Sequence, residues 1–297
     1  MIIKSATLKT LLAGFTSLYS ASLTAATVNY EKVAMVVPST TSEQKYGWLG
    51  QFPRFREWIG DRVINNLKEH GYAIVNKTFE TTIAVKREDI EDDNIGQYSP
   101  LFQTLGDDSA KHPDQLVFEL LKAGFATKCY DGQFFFDTDH PVIDENGVEQ
   151  SVSNSGGGAG NAWFLLDVSK PIKPVILQKR RDYALTAKDN PEDENVFMRN
   201  EFVYGVDARV NVGFGLWQLA YGSRQPLDVA AYEAARASVL SRTGDHGKKL
   251  ALNPNLLVVG PSNEGKARRL VKAEKDANGA DNVWYGTAEV LVVSWLD

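Results

Sequence analysis

Cysteine is almost missing from this chain. Cys129 is the single one among 297 residues, so no intrachain disulfide can form and no oxidising compartment is implied. A nucleophilic role for Cys129 would need a base beside it, and no local pattern names one. The plain reading is a small, partly buried side chain. Histidine is scarce too: His70, His112, His140 and His246 are scattered. There is no G-x-S-x-G elbow to support a serine nucleophile. Basic residues are not in excess, with 32 Lys+Arg against 38 Asp+Glu and a net charge of -6. That excludes a dedicated DNA-wrapping surface, which needs cations to displace counterions from phosphates. It leaves room for standing beside DNA without gripping it. No apolar run is long enough to span a bilayer. Internal repeats and long low-complexity tracts are also lacking.

What is present is enough apolar material, 43% of residues, for one large core or two lobes. The N-terminus offers two readings. Lys4 and Lys9, the apolar stretch Leu11–Leu23 and the small residues Thr24-Ala25-Ala26 resemble a secretory signal. Yet Leu8, Leu11, Leu12, Phe15, Leu18 and Tyr19 recur at helical spacing with polar residues between them, which predicts an amphipathic helix. A signal core is usually apolar all round, so the helix is preferred.

Further on, Val33–Val37 reads as a strand closed by Pro38. The aromatic, glycine-punctuated stretch Lys45–Gly50 suits an exposed loop, and Phe55, Trp58, Ile59, Val63 and Leu67 follow with partial helical spacing. Tyr72–Val75 and Thr78–Val85 read as a two-stranded ribbon turning at Asn76-Lys77, which would need a neighbour for stability. Residues 99–125 carry the strongest helical signal. Pro113 must either start that helix or kink a longer one beginning near Pro100. Val142-Ile143 and Val148 flank a hairpin turn at Glu145-Asn146-Gly147. Ser155–Gly160 reads as a flexible glycine-rich loop. Phe197–Tyr221 reads as one or two strands bent or bulged at Gly205, Gly213 and Gly215. Ala230–Leu240 is helical with Asp228 as cap. Leu256–Val259 and Glu289–Val293 are strands, and Glu264–Lys275 is a helix. The class is α+β, with helices and sheets partly segregated.

Several groups imitate active sites. Gly260–Ala267 follows a strand, opens a helix and fits G-x-x-x-x-G-K-[ST] up to its last position. There Ala267 has no hydroxyl for Mg²⁺, and Glu264 would face the phosphates. Asp131, Asp137, Asp139 and His140 could ligate a metal, but no recognised spacing is met, and a polar loop with a turn at Asp139-His140-Pro141 is preferred. The acidic run from Glu88 to Asp93 reads as solvated charge before a helix. The basic run Lys179-Arg180-Arg181 reads as a solvated face or an intersubunit charge pair. No catalytic residue, cofactor site or metal site is assigned, and an enzyme is not expected.

A set of longer stretches resembles the Mu-like prophage major head subunit family. They are Val36–Thr41 with Lys45–Gly50, Arg56–Arg62, Ile90–Gly96, His112–Val117, Cys129–Gly132 with Phe135–Pro141, Glu194–Arg199, and Tyr204–Arg209. They run along nearly the whole chain in the family's order. The resemblance implies a Hong Kong 97-type capsid fold. Its parts would be an N-terminal arm and first strand (1–44), an extended loop (45–95), a peripheral domain with spine helix and long strands (96–225), and an axial domain (226–297). In many relatives the long strands come last, so the order here would be permuted.

The resemblance also implies function. Subunits would form hexamers and pentamers and close an icosahedral shell around double-stranded DNA, without sequence-specific contact. The arm and the loop would reach across adjacent subunits, with Trp48, Phe52, Phe55 and Trp58 as buried intersubunit anchors. Scaffold or protease, portal and decoration proteins would be partners, and no membrane would be involved. Assembly would take place in the bacterial host cytoplasm and the product would be the virion capsid. The alternatives are an encapsulin-like compartment, a P-loop-like nucleotide-binding protein and, third, a secreted β-rich protein.

Overall fold

A computed structural model describes residues 3–50, 71–276 and 278–297. The helices are α1 (Ser5–Ala25), α2 (Tyr30–Val33), α3 (Arg87–Glu91), α4 (Ser99–Lys122), α5 (Glu194–Arg199), α6 (Val229–Ser241) and α7 (Pro261–Val271). The first strands are β1 (Ala34–Pro38), β2 (Glu43–Lys45), β3 (Ala73–Val75), β4 (Lys77–Lys86), β5 (His140–Ile143), β6 (Glu149–Val152), β7 (Ser155–Gly158) and β8 (Trp163–Leu166). Then come β9 (Val175–Lys188), β10 (Glu201–Phe214), β11 (Ala220–Arg224), β12 (Thr243–Gly244), β13 (Lys248–Lys249), β14 (Leu256–Val259) and β15 (Glu289–Val292).

Two sheets organise these elements. One has strand order β1-β9-β10-β4 and the other β15-β14-β8-β11-β7. The 14-residue strands β9 and β10 form a long antiparallel hairpin, joined through α5. Asn200 ends α5 in the left-handed region at φ 56, where asparagine is tolerated and most residues are not. Strand β9 was not read from the sequence, because its apolar run Val175–Leu177 passes into the Lys179-Arg180-Arg181 triplet. The bulge in the hairpin lies at Asp207–Val210, not at a glycine. Gly213 instead makes room for packing: a Cβ there would stand 2.3 Å from Ile74 Cδ1.

The 24-residue helix α4 begins at Ser99, with Pro100 in its first turn, and runs through Pro113. The longer of the two helices left open by Pro113 is therefore the one formed. Proline cannot donate to the carbonyl of Ser109; the Ser109 hydroxyl turns to the carbonyl of Leu105 at 2.7 Å.

The expected ribbon at 72–85 does not form. β3 pairs with β2, and β4 pairs along its length with β10. Asn76-Lys77 has no glycine for a two-residue hairpin turn, and the chain runs on between sheets. Buried Asn76 pins the crossing: its amide donates to Ser39 Oγ and the Thr41 carbonyl, and its Oδ1 accepts from Gln178. Likewise Ser155–Gly158 is no loop but an edge strand, parallel to β11. Its glycines let two backbones meet, since a Cβ on Gly158 would lie 2.5 Å from the Arg224 carbonyl carbon. The hairpin at 140–152 and the Asp228 cap of α6 form as read; Asp228 accepts from Ala231 N at 2.8 Å.

Among the described residues, three apolar clusters hold the fold together. One joins α1, α4, β4 and β10. A central one gathers Phe118, Leu121, Phe135, Phe136, Phe164, Phe214 and Trp217. The third packs α6 and α7 on the second sheet around Trp163 and Tyr232.

Candidate functional site

The N-terminal helix is amphipathic as read, and its apolar face is spent within the chain. Leu8, Leu11, Phe15 and Tyr19 are buried. Phe15 stacks on Phe102 with ring centroids 4.0 Å apart and meets the edge of Tyr204 at 5.3 Å. The helices cross at Gly106, where a Cβ would stand 2.3 Å from the Tyr19 carbonyl oxygen. The expected arm thus covers its own spine helix, and only its polar face is left for a neighbour.

Of the four aromatic anchors, Trp48 alone lies among the described residues; Phe52, Phe55 and Trp58 fall outside them, as do the helix expected from Phe55 to Leu67 and His70. Trp48 is half-buried and meets the edge of Tyr46 at 6.1 Å. Tyr46 and Leu49 are buried in the central cluster, so Lys45–Gly50 is not the exposed loop expected. The Tyr46 hydroxyl donates to Gln178 Oε1 at 2.8 Å. Burial pushes its pKa up to about 12, so it stays a donor.

The Asp/His cluster divides. Asp137 accepts from the backbone of Phe134 and Thr138, shaping its own loop, and Asp139 accepts from Gln133 Nε2. Asp131 and His140 come together, Oδ2 to Nδ1 at 2.7 Å, and Cys129 Sγ donates to Asp131 Oδ1 at 3.1 Å. Burial alone would raise the Asp131 pKa; the hydrogen bond and charge of His140 outweigh it and hold it below the usual carboxylate range. Burial pushes the Cys129 thiol well up, and the Asp131 charge adds to this. A thiolate nucleophile at Cys129 is disfavoured accordingly.

The phosphate-loop imitation is filled by the chain itself. Ser262 donates from its backbone N to Asp297 Oδ2 and from its hydroxyl to Asp297 Oδ1, both at 2.8 Å. A carboxylate thus takes the place at the start of α7 that a phosphate would use. Ala267, where a hydroxyl would be needed, is fully buried in the third cluster. In the basic run, Lys179 pairs with Asp182 and Arg181 with Asp207 within the chain, on a partly exposed face. In the acidic run, Asp89 accepts from the Tyr98 hydroxyl at 2.6 Å, which holds its carboxyl below the usual range.

His112 lines a cavity of about 470 Å³ with Phe79, Leu105, Tyr183 and Val206. Its Nδ1 is 2.6 Å from the Tyr183 hydroxyl. Burial pushes its pKa down, against a smaller opposing pull from Glu119. The unfolded chain therefore takes up a proton at higher pH than the folded chain. Stability from this source is full above the unfolded value of ~6.5 and is lost as pH falls from there towards the folded value. His112→Gln should flatten that stretch of a plot of melting temperature against pH; an unchanged slope would count against this burial.

One buried group escaped the sequence reading altogether. Arg242 is 4% exposed, and its Nη1 donates to the carbonyls of Trp217, Gln218 and Ala220 at 3.4, 2.7 and 2.8 Å. Burial pushes its pKa down to about 9. In sequence it reads as an ordinary cation after an alanine-rich helix, and nothing there signals burial. The one thiol set beside a carboxylate, Cys129 at Asp131, is held protonated by burial, and the other polar centres join parts of the fold to one another.

The family model for the Mu-like prophage major head subunit gpT matches residues 8–296. The chain belongs to this family. It is 40% identical over 305 residues to the major capsid protein of Escherichia phage Mu, all of both chains being covered. Its structure is similar to a subunit of the bacteriophage JBD30 procapsid, at a TM-score of 0.89 and 47% identity, covering 99% of this chain and 100% of that one. Against the JBD30 capsid the TM-score is 0.79 at 36% identity, with both chains fully covered. The fold of this major head subunit is the Hong Kong 97-type capsid fold, and its function is structural: it is a self-assembling phage head protein and not an enzyme. The nucleotide-binding, compartment and secreted readings give way to this. The segment that imitates a signal is α1, and the family model includes it from residue 8. Among the described residues no helix is long and apolar enough to cross a membrane.

Proposed function

We propose that the head subunit forms hexamers and pentamers that close an icosahedral shell around double-stranded DNA. The family match along residues 8–296 carries this reading. The net charge of -6 supports it, since an inner wall without a cationic excess lets packaged DNA move without sticking. Assembly proceeds in the bacterial host cytoplasm with scaffold or protease, portal and decoration proteins as partners. The four-part division stands as part of this proposal: arm and first strand at 1–44, extended loop at 45–95, peripheral domain at 96–225, axial domain at 226–297. So do Trp48, Phe52, Phe55 and Trp58 as intersubunit anchors.

The conformation described is, in this reading, that of the unexpanded shell, supported by the higher similarity to the JBD30 procapsid than to the JBD30 capsid. Expansion then repacks subunits between two arrangements. Particles recovered from induced host cells and treated with nuclease should retain double-stranded DNA and be wider than their empty precursors. Particles holding host protein in place of DNA, or one diameter throughout, would contradict the proposal.

A further inference from the structure

The centre formed by Cys129, Asp131 and His140 is not needed for shell building in any evident way. One sulfur, one carboxylate and one imidazole are brought together from a single stretch of chain, with ligand atoms all within 4.8 Å of one another. The His140 side chain is fully buried and that of Asp131 is 6% exposed. The ring is fixed twice. It stacks on Trp217 with centroids 4.0 Å apart, and its Nε2 lies 3.2 Å from Asn154 Oδ1.

The orientation of Asn154 decides which ring nitrogen is free. Its Nδ2 donates to the Phe135 carbonyl at 2.7 Å, and its Oδ1 accepts from Asp137 N at 2.8 Å. Oδ1 is therefore an acceptor, and Nε2 carries hydrogen towards it. This is the arrangement in which an outer hydrogen bond orients a metal-bound histidine. Nδ1 faces the Asp131 carboxylate at 2.7 Å and the Cys129 sulfur lies beside the same carboxylate at 3.1 Å, so a cation held by all three would sit between them.

We propose that Cys129 Sγ, Asp131 and His140 Nδ1 form a binding site for a divalent transition-metal ion, Zn²⁺ by preference. The donor set of sulfur, nitrogen and oxygen suits Zn²⁺ and is wrong for Mg²⁺ or Ca²⁺, which take oxygen alone. In a tetrahedral site with bonds of about 2.0–2.3 Å the ligand atoms stand roughly 3.3–3.6 Å apart, so His140 Nδ1 and Asp131 Oδ2 would open from 2.7 Å and one carboxylate oxygen would turn to lie between ring and sulfur. A cavity of about 140 Å³ reaches Asp131, bounded also by Gly50, Tyr130, Gln218 and Asp245. It gives the ion a way in and a water for the fourth position. On binding, the Cys129 thiol gives its proton to solvent and the sulfur coordinates as thiolate. The sequence shows no second His nearby and no recognised ligand spacing, which favours a plain polar loop; the fold adds Cys129 to Asp131 and His140.

The test uses the full-length protein, freed of metal with a chelator and titrated with Co²⁺ followed by absorption, then with Zn²⁺ followed by calorimetry and thermal melting. Cys129 is the only cysteine, so a thiolate-to-cobalt charge-transfer band reports this site and no other. Expected are one ion per chain, that band together with tetrahedral cobalt bands, and a rise in melting temperature with Zn²⁺. Cys129→Ser should lose the band and the Zn²⁺-dependent rise; His140→Gln should lose binding. If His140→Gln does not fold, the cobalt spectrum and Cys129→Ser still decide. A spectrum of hydrated Co²⁺ at every ratio would overturn the proposal, as would a Zn²⁺ effect that Cys129→Ser leaves untouched.

Discussion

Replacing Gly106 with valine will unseat the N-terminal helix. A Cβ at this position meets backbone on α1: the Tyr19 carbonyl oxygen at 2.3 Å and Leu23 N at 3.0 Å, with Ser22 Cβ at 2.9 Å. Backbone atoms cannot swing aside as side chains do, so α1 must tilt or leave. Its exit would expose Leu8, Leu11, Phe15 and Tyr19 and break the Phe15–Phe102 stack. Each such side chain contributes about 1.5–3 kcal/mol by burial, against a net stability of roughly 5–15 kcal/mol for a typical domain. Even Gly106→Ala, which improves helix propensity by up to ~1 kcal/mol, should destabilise. Limited proteolysis will show it: in the wild type the α1 segment should resist cleavage, and in Gly106→Val it should be released first. A protected α1 in the variant would mean that the crossing at Gly106 is not what holds this helix.

Arg242→Met should cost about 2–6 kcal/mol, the buried carbonyls of Gln218 and Ala220 each losing a donor at about 1–3 kcal/mol. The opposite sign is a real alternative, because desolvating a guanidinium is expensive and a well-packed apolar replacement of a buried charge is often neutral or stabilising. The geometry decides between them. Arg242 has no carboxylate partner among the hydrogen bonds around it; it serves backbone carbonyls at the turn between β10 and β11, and methionine takes the donor from those of Gln218 and Ala220, while that of Trp217 keeps the Ala220 N–H. Arg242→Lys should fall between, since the ammonium is shorter and loses the second nitrogen's contact with Ser238 Oγ. Chemical denaturation of the unassembled subunit measures all three. A Met variant as stable as the wild type would show that the carbonyls find other donors.

What could be read from the sequence and what could not divides along physical lines. Local signals were legible. The 3.6-residue recurrence from Leu8 to Tyr19 gave α1, Asp228 gave the start of α6, and Glu145-Asn146-Gly147 gave the β5–β6 turn. The errors arose where distant partners decide local structure. Ser155–Gly158 is a strand only because β11 lies beside it, and glycine-rich sequence carries no mark of that. β3 and β4 alternate as a ribbon would, yet each pairs elsewhere, and the pairing is set by Asn76 and Gln178 at the crossing. Among polar groups, sequence proximity joined Asp131, Asp137 and Asp139 to His140, while the fold keeps Asp131, leaves the other two aside, and adds Asn154 and, through Asp131, Cys129. Family membership was legible through ordered stretches of residues, which summed along the chain although each was weak alone.

The most direct test of the central claim is electron microscopy of the purified head subunit, with and without its scaffold, beside size-exclusion chromatography. Uniform closed shells, or rings of hexamer size that scaffold converts to shells, are predicted. A chain that stays monomeric under every condition, with its melting behaviour intact, would contradict the claim that this fold builds the head.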